Sequence, residues 1–144
     1  MTNLYNEETG KVLNFSVSAD VDEIVSASER ISEFCATNGM SIKETMRLQM
    51  SMEEVMTLIR QINEEHGAQK LKFDLRAFSV NEVKGVRVRY NGIAFNPFYF
   101  SPGDGVIEDD VFMGVRMIKK MVEMVNYQRA FGVNTLQIIL KEDK

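Results

Sequence analysis

Three stretches of this chain combine residue types that could do chemistry. The first is Met50-Ser51-Met52-Glu53-Glu54-Val55-Met56-Thr57-Leu58-Ile59, whose apolar residues recur at helical spacing. With Val55 at the centre of that stripe, Leu58 lies about 60° to one side and Glu54 about 100° to the same side. Glu54 therefore stands at the edge of the buried face, where a helix can line a pocket. The plainer reading is a solvated Glu on an exposed flank. The second stretch, Arg89-Tyr90-Asn91-Gly92-Ile93-Ala94-Phe95-Asn96-Pro97-Phe98, follows a strand pattern. Asn91-Gly92 is an ordinary turn signal, and Phe95 and Phe98 could simply fold back on the core. The third, Ser101-Pro102-Gly103-Asp104-Gly105, is glycine-rich and precedes a helix carrying Gly114 in its first turns. Such a loop can cradle phosphate through backbone N–H groups. Neither G-x-x-x-x-G-K-[ST] nor G-x-G-x-x-G is present.

Other chemistry is bounded by composition. The chain has one cysteine, Cys35, and one histidine, His66, so it forms no internal disulfide and no Cys/His zinc cluster. Cys35 falls in a helical pattern and reads as a small core residue. His66 follows Glu64-Glu65, a metal-like grouping that is more simply a solvated helix end. The 144 residues carry a net charge of −4 with no basic block, which argues against nucleic acid and anionic membrane surfaces as partners. No apolar run reaches the roughly 18 residues of a membrane helix, and the start of the chain lacks a signal-like apolar region. The expected location is cytoplasmic.

These residues must be positioned by a regular scaffold. Residues 11–18 alternate as a strand. A helix runs from Val21 to about Thr37, capped by Asp20 or Ser18 and stopped by Asn38-Gly39. A second begins at Ser41, with Glu44 completing a capping box, and runs to about Glu65 on a stripe of Leu48, Met52, Val55, Ile59 and Ile62. Strands follow at Lys70–Val80 and Gly85–Tyr90, joined by a turn over 81–84. The long loop 91–110 leads to a helix over Asp110–Val125, with acidic residues at its start. The final strands cover Asn126–Phe131 and Thr135–Lys141, joined through Gly132-Val133-Asn134. The order β-α-α-β-β-α-β-β predicts a single α/β (α+β) domain with its ordered core over about 10–141. The architecture expected is a two-layer sandwich: a mixed, mostly antiparallel sheet with three helices on one face.

Together these pieces resemble the histidine-kinase-like ATPase (GHKL) superfamily, in its anti-sigma-factor serine kinase branch, over roughly residues 10–141. That family carries a helix phrase like E-E-A-x-T-N, in which the Glu is a general base and the Asn binds the magnesium on the nucleotide phosphates. Here the phrase reads Glu53-Glu54-Val55-Met56-Thr57-Leu58. Glu54 matches the base, and Leu58 takes the metal position. The family's D-x-G-x-x-F-D-P reads the adenine amino group with its Asp; here it is Tyr90-Asn91-Gly92-Ile93-Ala94-Phe95-Asn96-Pro97. Gly92, Phe95 and Pro97 match, and Tyr90 replaces the acid. The glycine-lid motif G-x-G survives only as Gly114, with Phe112 at the first glycine.

The resemblance implies a catalytic Glu54 and nucleotide contacts from Leu58, Tyr90, Asn91, Gly92, Phe95, Gly103, Gly105 and Gly114. The departures cut against it. Leucine offers Mg²⁺ no hard oxygen, and phosphoryl transfer depends on that metal. Tyr90 cannot replace a carboxylate acceptor. Phe112 limits backbone approach to phosphate. The expectation is a regulatory protein in which ATP and Mg²⁺ binding is weak or lost. It would act by protein contact with a sigma factor or an anti-sigma antagonist, as a homodimer. The methionines Met46, Met50, Met56, Met113, Met117, Met121 and Met124 either form an adaptable partner surface or fill the core. The alternative is an active ATP- and Mg-dependent serine kinase with Glu54 as base and Asn91, Asn96 or Asp104 as substitute ligands. A third reading gives the altered pocket another small molecule.

Overall fold

A computed structural model describes residues 10–66, 70–99 and 109–141. The elements are β1 (Gly10–Ser18), α1 (Val21–Thr37), α2 (Ile42–His66), β2 (Lys72–Val80), β3 (Val83–Tyr90), a 3₁₀ turn (Pro97–Tyr99), α3 (Asp109–Met121), β4 (Val122–Ala130) and β5 (Val133–Leu140). The strands form one sheet in the order β1-β2-β3-β5-β4. Every neighbouring pair is antiparallel, so the mixed sheet expected from sequence is corrected to an antiparallel one. The reason lies in the connections. The α1–α2 hairpin returns the chain beside β1 in the opposite sense. β3 and β4 run the same way but do not touch, because β5 inserts between them through a tight hairpin.

Both hairpins turn on two residues of positive φ: Asn81 and Glu82 (50° and 68°), and Phe131 and Gly132 (53° and 77°). This is the backbone twist that two-residue hairpins need. The turns are shorter than the sequence suggested, since Val83, Val133 and Asn134 already belong to strands.

α1 ends as expected, with Gly39 at φ +69° and the Asn38 N–H donating to the Phe34 carbonyl. Its start differs. Asp20 occupies the N-cap position without a side-chain cap bond, and Ser18 Oγ donates to Asp20 Oδ2 instead. α2 begins with the capping box: the Glu44 N–H donates to Ser41 Oγ and the Ser41 N–H to Glu44 Oε1, each at 3.0 Å. Glu44 Oε2 also accepts from Lys84 Nζ of β3 at 2.8 Å, tying the helix to the sheet. Burial alone would push the Glu44 carboxyl up, but the bonds from Lys84 and Ser41 hold it below its ordinary value.

The core lies between the helices and one face of the sheet. The predicted α2 stripe is buried throughout, as are Phe73, Leu75, Ala77, Val86 and Val88 of the strands facing it. Cys35 is buried there too, and desolvation pushes its thiol up to about 11, which makes it an inert core group. α3 ends at Met121, four residues before the predicted Val125, and β4 starts at once. Val122 and Val125 fit a helical stripe, yet they pair with Leu140 and Ile138 of β5. Completing the sheet edge overrides a helical period that the sequence also satisfies.

Candidate functional site

Glu54 and Leu58 are one turn apart on α2 but have different surroundings. Leu58 is 0% exposed and belongs to the hydrophobic core, packed where no polar ligand atom is offered. Glu54 is half-buried and rests against α3, where a methyl group added to Gly114 would overlap Glu54 Oε2. Gly114 thus gives the carboxylate its room, and the structure brings these two predicted residues together. Glu54 also lines a cleft of about 400 Å³ with Glu53, Thr57 and Arg60 of α2 and Val21, Ile24 and Val25 of α1. Val21 and Val25 recur at helical spacing with the buried Ile24, Ser28 and Ile31, yet they are exposed at the cleft, at 56% and 49%.

Tyr90, Asn91, Gly92 and Phe95 form a second cluster at the end of β3. Alternation along β3 turns Tyr90 inward with Val86 and Val88, and the residue is 2% exposed. Its ring is tilted against Phe73, with centroids 6.3 Å apart. Its hydroxyl donates to the Phe95 carbonyl at 2.5 Å, folding the loop back on the core with Phe95 buried. Burial drives the phenol well above its ordinary value, Tyr127 adds to this, and Arg129 offsets part of it, so Tyr90 stays a neutral donor.

The asparagines of this loop are structural ties. Asn91 Oδ1 accepts from the Lys72 N–H at 2.8 Å and Nδ2 donates to the Lys70 carbonyl at 2.9 Å. Asn96 Oδ1 accepts from the Phe98 N–H at 3.0 Å, a local turn. Both amides proposed as substitute nucleotide ligands are therefore engaged in holding the loop. Gly92 has φ +90°, and a Cβ there would lie 2.6 Å from Asn63 Oδ1 of α2. Close approach and left-handed backbone together require glycine.

Two residues of this cluster were missed from sequence. Asn63 is buried beneath Gly92 on α2. Asn134 is 0% exposed; its Nδ2 donates to the carbonyls of Tyr90 and Ile93, and its Oδ1 accepts from Tyr127 and Arg129. The signal was its inward register with Leu136, Ile138 and Leu140, which a turn assignment concealed.

Glu54 and Asn63 are nine residues apart, so the two clusters stand about 13 Å apart along α2. Leu58 lies between them. Gly103, Gly105 and Asp104 fall outside the described residues, as does the side chain of Phe112. Among the described residues no group of His, Cys, Asp and Glu is arranged to hold a metal ion. No helix among them is long and apolar enough to cross a membrane. No protein-family model matches the chain, and no curated protein matches it.

Proposed function

We propose that this chain is a regulatory protein resembling the anti-sigma-factor serine kinases, with a degenerate ATP site, acting by protein–protein binding. The observation that carries the reading is the condition of two positions. Leu58 and Tyr90, which stand for the metal ligand and the adenine-reading acid, are both core residues. Tyr90 spends its one donor on the loop itself. A nucleotide would have to displace this packing to reach either position.

The partner half of the reading draws on the outer helix surface. Ile42, Met46 and Met50 recur every fourth residue on α2 and are 81%, 56% and 39% exposed. Met52 and Met56 are buried, so the methionines divide between core and surface. An exposed adaptable stripe suits contact with another protein. By resemblance that protein is a sigma factor or an anti-sigma antagonist, met in the cytoplasm by a homodimer of this chain. The alternative, an active ATP- and Mg-dependent serine kinase, draws on Glu54 lining the α1–α2 cleft.

Thermal unfolding with nucleotide tests the proposal. A ligand that binds only the folded protein at a hundred times its Kd stabilises by about 2.7 kcal/mol. The proposal expects no rise in Tm with ATP and Mg²⁺ at millimolar concentration. A rise that needs Mg²⁺, with phosphoryl transfer lost in Glu54→Ala, would establish the kinase instead.

A further inference from the structure

β4 is the last strand of the sheet, and among the described residues no strand pairs with its outer edge. The backbone N–H and C=O groups on that side are a template for a further strand. Glu123, Met124, Asn126, Gln128 and Arg129 are exposed along β4, and Val125 and Tyr127 are half-buried. A bulge can blunt such an edge. Here the register shift lies at the start of the strand, between Val122 and Met124, and the ladder with β5 runs regularly from Met124 to Ala130.

The sequence of this strand is complementary to itself. In an antiparallel pair of two β4 strands centred on Asn126, Glu123 of each copy stands opposite Arg129 of the other. Val125 then faces Tyr127, and Met124 faces Gln128. Opposite charges and aromatic–β-branched pairs across strands are stabilising. Moving the axis by one residue either way sets Glu123 opposite Tyr127 or Phe131 and loses both ion pairs. The same register carries Phe131 of each copy to the end of α3 in the other, opposite Met121. Phe131 is 104% exposed at its hairpin tip, and Met117, one turn before Met121, is 53% exposed. A ring against thioethers is a favourable contact, and it removes from water an apolar group that stands fully in it.

We infer that two copies of this chain join edge to edge through β4, antiparallel about Asn126, so that their two five-stranded sheets become one. The contact is isologous: each pair across it occurs twice, related by a two-fold axis. Backbone hydrogen bonds hold the edges together, and the two Glu123–Arg129 pairs fix the register. Arg129 Nη1 donates to Asn134 Oδ1 at 3.2 Å, which positions the guanidinium at this edge. The inference rests on the homodimer of the proposed function and names its surface. Its test involves no nucleotide, so the ATP-site reading and this interface can fail separately.

The test is sedimentation velocity of the whole chain from about 1 to about 100 μM, where a micromolar dimer shows itself. The wild type dimerises. Glu123→Arg alone and Arg129→Glu alone each weaken the dimer at least about tenfold, because like charges then face each other. An equimolar mixture of the two variants pairs again, since each copy meets the opposite charge. Asn126→Cys cross-links to its counterpart on mild oxidation, because the two-fold axis brings the pair within disulfide reach. Gln128→Cys, about 13 Å from its counterpart along the strands, does not, and the native Cys35 is buried. Unfolding midpoints of the variants are compared with the wild type. If Arg129→Glu disturbs folding through Asn134, Glu123→Arg and the two cysteine variants carry the test. A monomer at about 100 μM would overturn both the inference and the homodimer it rests on. A dimer indifferent to Glu123→Arg, or cross-linked through Gln128→Cys as readily as through Asn126→Cys, would overturn the β4 interface and leave the homodimer standing.

Discussion

The Gly114 backbone of α3 packs directly on the Glu54 carboxylate of α2, so closely that a methyl group there would overlap Oε2. The two residues are sixty positions apart in the chain. Their contact fixes where the helix pair approaches and which way the carboxylate faces.

This contact can be read by a double-mutant cycle. Alanine is about 1 kcal/mol better than glycine inside a helix. In a Glu54→Ala background, Gly114→Ala therefore stabilises by up to about 1 kcal/mol. In the wild type that gain is cancelled by displacing the carboxylate. Urea unfolding of the four proteins gives a coupling of about 1 kcal/mol. Additive effects would mean that the two groups do not meet.

Tyr90 is expected to act as a structural tie. Tyr90→Phe keeps the ring against Phe73 and leaves the Phe95 carbonyl without its donor. The cost is about 1–2 kcal/mol, and the loop after β3 gains faster amide exchange. A variant as stable as wild type, with unchanged exchange, would show that the hydroxyl bond contributes nothing.

Much of this frame was legible in the sequence. The apolar stripe Leu48, Met52, Val55, Ile59 and Ile62 has one period only, and all five residues are buried. The Ser41–Glu44 box is local, so four residues specify it. Other features depended on distant partners. Val122 and Val125 satisfy both a helical stripe and a strand, and pairing with β5 decides between them. Asn134 is buried because carbonyls 44 and 41 residues away need its amide. Val21 and Val25 fit an apolar period but lie beyond the reach of the core, beside the cleft. Glu54 was placed correctly at the edge of the buried face, whereas its glycine neighbour became visible only once α3 was in position.

Leu58 provides a sharper test of the proposed loss of the metal position. Leu58→Asn restores the residue type that the resemblance assigns to magnesium. At a site with 0% exposure it buries an amide and loses apolar contact. The expected loss is about 3 kcal/mol of stability, measured in urea, with no gain of nucleotide binding. A stable Leu58→Asn protein that takes up Mg²⁺ and ATP would contradict this.

The Glu44–Lys84 pair predicts a pH dependence. The Glu44 carboxyl lies below its ordinary value when folded. Its contribution is therefore complete above the unfolded value and is lost as pH falls through the folded one. Lys84→Met leaves the carboxylate buried without its cation, costing about 2 kcal/mol at pH 7. The gap between wild type and variant narrows as pH falls below about 4. A gap independent of pH would mean that the lysine acts through packing alone.

The central proposal, that Leu58 and Tyr90 stand in the core where the resemblance would put the metal and adenine contacts of an ATP site, is tested most directly by calorimetry. The purified protein is titrated with ATP and ADP, with and without Mg²⁺. The account predicts no binding heat at millimolar nucleotide, whether or not magnesium is present. Micromolar binding that requires Mg²⁺ would contradict it.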